Sequence, residues 1–316
     1  MKARTALVLG GMAVASLGLA VACSDNGEPF VAARSTDADA GMVETGSPGL
    51  DAGTELDAGS DGGTLADGGA GDGGRDLSTN RGLFFGPSRC ATAGLLFCED
   101  FESGTLNAAT WTTVGTAPTI DSVQAARGSK ALHIVKSGDG ASYIREKKTF
   151  PALKNTYFGR AFFWFESMPA APLTYAHWTI LAATGTNVAG EIRVGGQFQS
   201  GMNRFGVGTD NRGATGTGDW TNSDGDPPGA VPLKQWICVE WMHKGDTNET
   251  RFYWDAKEHP SLYTSSTKHG GNTNPYILPT FDTLWIGWNE YQTTTEKFEL
   301  FVDEIAIDKE RIGCVL

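Results

Sequence analysis

The chain has 316 residues, 40% hydrophobic and 10% aromatic, with 25 Lys and Arg against 37 Asp and Glu, a formal charge of −12. It carries no basic stripe, no phosphate-cradling glycine loop and no Gly-x-Gly-x-x-Gly after a strand, which sets aside nucleic-acid readers and nucleotide enzymes.

Lys2 and Arg4 precede an apolar run from Ala6 to Ala22 that ends at Cys23, the charge, core and small-residue boundary of an export signal. Leu19-Ala20-Val21-Ala22-Cys23 resembles the lipobox of bacterial lipoproteins, although Leu stands one place further back than is usual there. The resemblance makes residues 1–23 a lipoprotein signal peptide and Cys23 the lipidation site. The expected location is then a membrane-anchored form on the periplasmic side or cell surface, with the N-terminal lipid as the only membrane contact. Ala20-Val21-Ala22 also fits ordinary signal peptidase, so plain secretion after the same cut is the alternative.

Residues 24–84 read as a Gly, Ala and Asp tract that buries too little apolar surface to fold, a flexible linker before the domain. Up to Asn80 the tract holds twelve acidic residues against Arg34 and Arg75. The chain's −12 is thus +2 from the signal, −10 from the linker and −4 from the rest, so an acidic chain does not argue against an anionic ligand for the folded part.

Beyond Cys23 stand four cysteines, Cys90, Cys98, Cys238 and Cys314, an even set that in an exported protein predicts two disulfides. Three pairings are open. Cys90 with Cys98 would staple a short loop and Cys238 with Cys314 would tie the C-terminal end to a central strand, which favours that pairing. The spacing resembles no zinc site.

Residues 85–316 show no helical period. Short β-branched and aromatic runs recur between turn residues: 131–135, 157–165, 178–182, 191–198, 205–208, 236–243, 250–254, 283–288 and 299–307. That rhythm predicts an all-β, antiparallel β-sandwich. Alternation along the fourth run puts Glu191, Arg193, Gly195 and Gln197 on one face and Ile192 and Val194 on the other. A cation and an amide two pleats apart suit a carboxylate-bearing ligand in a groove; a solvated sheet face is the plain alternative. Among the other histidines, His133 falls in an alternating strand, and His243, His259 and His269 sit near turns; all four read as surface residues.

Phe97-Cys98-Glu99-Asp100-Phe101-Glu102-Ser103-Gly104 near the start, Arg127-Gly128-Ser129-Lys130-Ala131-Leu132, and Leu300-Phe301-Val302-Asp303-Glu304-Ile305-Ala306-Ile307 at the close resemble the concanavalin-like jelly-roll superfamily. Within it the chain looks most like the cellulose-induced proteins of fungi and their bacterial relatives, neighbours of glucuronan and alginate lyases. The resemblance implies a structural calcium ion bridging first and last strands, held by Glu102 and Asp303 with carbonyls around Gly128 and Lys130. It also implies a polysaccharide partner, no nucleic acid and a monomer. His177, Arg193, Gln197 and Tyr291 match, by type and order, the groove residues of the lyase-like members. The implied reaction is β-elimination on a uronic-acid polymer: Arg193 and Gln197 bind the carboxylate, His177 abstracts a proton or neutralises the carboxylate, and Tyr291 donates a proton.

Trp220, Trp285 and Trp288 are candidate sugar platforms, and Trp285 and Trp288, three apart on a strand, must face opposite sides. The polar stretch Thr209 to Gly229 is a candidate cleft wall. A laminarinase-type hydrolase needs a Glu-x-Asp-x-x-Glu strand that is absent. A non-catalytic lectin on the same fold is the main alternative.

Overall fold

The computed structural model describes residues 74–316 apart from 92–93, 147, 150–154, 187–189, 211–217, 223–229 and 270–275, and at 210 and 218–222 it describes the backbone only. The signal segment with Cys23, and the linker to residue 73, lie outside the described residues. The strands in chain order are β1 (Phe97–Glu99), β2 (Trp111–Gly115), β3 (Thr119–Asp121), β4 (Ala131–Ser137), β5 (Gly140–Glu146), β6 (Thr156–Ser167), β7 (Tyr175–Thr186), β8 (Glu191–Gln199), β9 (Met202–Asp210), β10 (Gly218–Asn222), β11 (Trp236–Lys244), β12 (Glu249–Trp254), β13 (Lys257–Glu258), β14 (Thr280–Glu290) and β15 (Lys297–Asp308).

They form an antiparallel β-sandwich of jelly-roll type. The first sheet has the order β13-β12-β11-β6-β15-β4-β3, with β1 also on β15; the second has the order β10-β9-β8-β7-β14-β5-β2. In both, a strand from the end of the chain, β15 or β14, inserts between strands that come before residue 187. Neither sheet is therefore complete until the C-terminal third arrives.

Period-2 alternation sends Phe163, Phe165, Val239 and Trp241 inward from the first sheet to meet Trp178, Val194, Phe205, Ile286 and Trp288 from the second. Trp178 and Trp288 stack across neighbouring strands at 5.6 Å. Trp288 is thus core and Trp285 is on the opposite face, as their spacing requires.

A smaller apolar cluster covers the outside of the first sheet, with Phe84, Phe162, Trp236, Phe301, Cys238 and Cys314. It moves the domain boundary. Residues 74–84, assigned to the linker by composition, belong to the folded part: Arg75 pairs with Asp308, Arg81 with Asp255, and Phe84 is fully buried. Beneath them Arg127 and Arg160 share the Glu304 carboxylate, with all three side chains at 0% exposure. Each charge there has an opposite or hydrogen-bonding partner, the condition for burying ions at all.

Cys90–Cys98 and Cys238–Cys314 are both formed, the pairing favoured from the sequence, with Cα separations of 5.2 and 6.0 Å. They close loops of very different length, 8 and 76 residues. Loop entropy assigns about 2.5 kcal/mol to the first and about 4.5 kcal/mol to the second. Denaturant unfolding of Cys90→Ser/Cys98→Ser and Cys238→Ser/Cys314→Ser double variants should show the larger stability loss in the second.

His243 and His259 correct the surface reading: both are buried, at 0% and 1% exposure. His243, next to last in β11, lies between Tyr157 and Phe281, with its Nδ1 3.1 Å from Thr250 Oγ1. Burial pulls its pKa down from 6.5 to about 3. The unfolded chain therefore binds a proton that the folded chain refuses, and this residue's contribution falls as pH drops from 6.5 towards 3. The stability difference between wild type and His243→Phe should shift against wild type by about 1.4 kcal/mol per pH unit in that window. A pH-independent difference from chemical denaturation would contradict it.

Candidate functional site

The outer face of the second sheet holds a cleft of about 350 Å³ lined by Tyr143, Thr184, Gly190, Glu191, Trp285, Asn289 and Tyr291. Register decides which side chains share it, because residues opposite one another on neighbouring strands project to the same face. One row runs from Arg145 on β5 to Trp285 on β14, Ala182 on β7, Arg193 on β8 and Gly208 on β9. A second joins His177, Gln197 and Arg204 on β7, β8 and β9, and the Tyr291 N–H donates to the His177 carbonyl at 3.0 Å, which brings Tyr291 to its end.

All four residues singled out by the sequence therefore lie on one face. The His177 and Tyr291 rings are 4.8 Å apart, and the Arg193 guanidinium carbon is 4.9 Å from the Tyr291 ring centre. Gln197 stands directly opposite His177 and donates to the Tyr175 hydroxyl at 3.2 Å. A bulge in β7 between Thr179 and Leu181 bends this floor. Gly195 faces it at close quarters: a Cβ there would lie 2.1 Å from the Trp178 carbonyl oxygen.

Arg193 is not a solvated cation. Its side chain is 8% exposed and its Nε donates to Glu191 Oε1 at 2.8 Å, while Glu191 Oε2 accepts the Trp285 indole N–H at 3.2 Å. Trp285 in turn stacks on Tyr143 at 4.2 Å. Burial raises the Tyr291 pKa above its usual 10, with Arg193 opposing and Glu191 adding to the shift. At neutral pH the phenol thus carries its proton. Behind the rings, Glu290 lies on the core side with its Oε1 accepting the Gln292 N–H at 3.0 Å and its Oε2 buried without a hydrogen bond. Burial pushes its pKa up to about 7. The Gln292 side chain accepts the His177 N–H. Glu290 and Gln292 therefore fix the backbone that carries both rings.

Tyr143, Arg145, Arg204 and Glu290 had no place in the sequence reading. The alternation of Tyr143, Ile144 and Arg145 between Gly140 and Glu146 was the available signal for the first two. Trp220 falls on β10, opposite Gly208. Of the suspected wall from Thr209 to Gly229, residues 211–217 and 223–229 lie outside the described residues.

The calcium set does not fit a cation. Glu102 Oε1 accepts the N–H groups of Ser129 and Lys130 at 2.7 and 2.8 Å, its Oε2 accepts the Ser129 hydroxyl, and the Lys130 ammonium lies 2.9 Å from the Glu102 carbonyl. Asp303 Oδ2 accepts the N–H groups of Ala126 and Arg127, both at 2.9 Å, and its Oδ1 that of Glu304. Both acids grip the 126–130 loop through donors, whereas calcium needs six to eight oxygens. Gly128 serves this grip, since at φ +68° a Cβ would meet Glu102 Oε1 at 2.5 Å. Among the described residues, no group of three or more His, Cys, Asp or Glu is placed to hold a metal ion.

No protein-family model matches the sequence, and no curated protein matches it. Solved structures do resemble it. A cellulose-induced protein, Cip1, is 17% identical, with a TM-score of 0.48, covering 69% of this chain and 99% of that one. The alginate lyase AlyC3 is 14% identical, with a TM-score of 0.40, covering 56% and 74%. A botulinum neurotoxin type C structure concerned with interaction with two ganglioside molecules is 10% identical at 0.42, covering 65% of this chain and 44% of that one, so the chain spans less than half of it. Identities and scores this low leave the chemistry to be read from the groove's own side chains.

Proposed function

We propose that the groove binds a uronic-acid-containing polysaccharide and cleaves it by β-elimination, in a protein exported from the cell. Export rests on the leader and on two disulfides, which persist in oxidising compartments. The observation that carries the chemistry is the contact of the Tyr291 ring with both the His177 ring, at 4.8 Å, and the Arg193 guanidinium, at 4.9 Å. An imidazole, a phenol that keeps its proton and a guanidinium paired to Glu191 then stand together on one sheet face, with Tyr291 reaching the lining of the cleft.

In this reading His177 takes the proton from C5 of the uronate, the C–H electron pair becomes the C4–C5 double bond, and the departing C4 oxygen takes the Tyr291 hydroxyl proton. Gln197, opposite His177, supplies an amide donor to the carboxylate, whose partial neutralisation makes the C5 proton acidic enough to leave. Water regains access when product departs, and the proton held by His177 returns to the phenolate. No other co-reactant is needed.

A second reading, a non-catalytic carbohydrate-binding module, is favoured by one feature: Glu191 already satisfies Arg193 and Trp285, as in a rigid recognition site. Ultraviolet absorbance of the conjugated double bond, followed with glucuronan, alginate and other uronans, separates the two. Tyr291→Phe should lower kcat at least ~100-fold while polymer binding persists. With a phenol pKa above 10, the alkaline limb of the wild-type rate profile should lie above pH 10 and vanish in the variant. Binding without any wild-type cleavage across the panel would leave the module.

A further inference from the structure

The guanidinium best placed for chemistry is badly placed to recognise a carboxylate. An entering acid group meets Glu191 before it meets Arg193, whose Nε is already donating to it at 2.8 Å. Arg193 and Glu191 together form a nearly neutral pair, of which Glu191 lines the cleft.

Two other guanidiniums share the same face. Arg145 stands opposite Trp285 and is exposed; its Nη2 donates to the Tyr143 hydroxyl at 3.3 Å, and its Cζ is 5.9 Å from the Tyr143 ring centre. Arg204 stands opposite Gln197, two strands beyond His177, and is half-buried. Four strand spacings and two pleats separate their backbones, roughly 23 Å in the sheet plane. The line between them passes over Thr179, beside the Tyr291 phenol. That span exceeds a single sugar and fits a chain bearing repeated carboxylates.

We propose that Arg145 and Arg204 are the specificity-determining residues, holding carboxylates of an anionic polymer on either side of the His177–Tyr291 pair, while Arg193, balanced by Glu191, positions the phenol. The inference rests on the groove being the polysaccharide site and does not require that elimination follows. Guanidinium presents a planar fork to a carboxylate, and at partly exposed positions such pairs weaken with added salt.

The test measures dissociation constants of the full chain, in the Tyr291→Phe background so that polymer stays intact, for polyglucuronate and for the same polymer with its carboxyls reduced to alcohols, over a sodium chloride series. Arg145→Gln and Arg204→Gln should each weaken polyglucuronate binding about tenfold at low salt, flatten its salt dependence when combined, and leave binding of the reduced polymer unchanged. Arg251→Gln, on β12 of the other sheet, should change neither. Wild-type affinity and salt slope in the double variant would overturn the proposal, as would an equal loss for charged and reduced polymer. Failure of the elimination reading is a separate result: no ultraviolet product from the wild-type chain, with the salt-dependent affinities intact.

Discussion

Everything at the groove depends on the register of β7, β8 and β9. Side chains on a strand alternate, so a slip of one residue between β7 and β8 would carry His177 to the face that now holds Trp178, and Gln197 would lose its partner. The core prevents the slip. Ala176, Trp178, Ile192, Val194, Phe205 and Val207 are buried on the inner face of these three strands, and moving any strand by one would expose its apolar set. Hydrophobic burial on one side of the sheet thus specifies the placement of polar groups on the other. The β7 bulge is the one deviation, and it is accommodated because Gly195 leaves room for the approaching backbone.

Closure of the sandwich uses a different kind of force. The 126–130 loop is gripped by Glu102 and Asp303 through backbone N–H groups, and the segments beside it are tied by Arg127 and Arg160 on Glu304. A half-exposed carboxylate, Glu102, and the buried Asp303, Glu304, Arg127 and Arg160 hold this loop through donor contacts. A donor-rich surround favours anions, and the loop's N–H groups and the Lys130 ammonium together leave little oxygen for a divalent ion. Ion pairs of this sort contribute little net stability, but losing one partner strands the other in a dry environment.

The long strands were legible because β-branched and aromatic alternation over seven or more residues has few other solutions. Each of the nine runs marked in the sequence falls on a strand. The short edges β1, β3 and β13, two or three residues each, have too few positions to show a period. β5 was missed because Gly140, Ala141 and Ser142 dilute its pattern, and Tyr143 and Arg145 went with it. The shared face of Arg193 and Gln197 was readable from parity alone. Their alignment with His177 and Tyr291 was not, since it depends on pairing between segments far apart in the chain. His243 shows the same limit: its position near a turn suggested exposure, but Tyr157 and Phe281 close over it.

The contact of Arg75 with Asp308 and the burial of Phe84 place the point at which the polypeptide enters the sandwich on the outside of the first sheet. The cleft opens on the far layer. The chain thus joins the sandwich on a surface tied by the Cys238–Cys314 bond and by interior arginines, with the cleft-bearing sheet behind it.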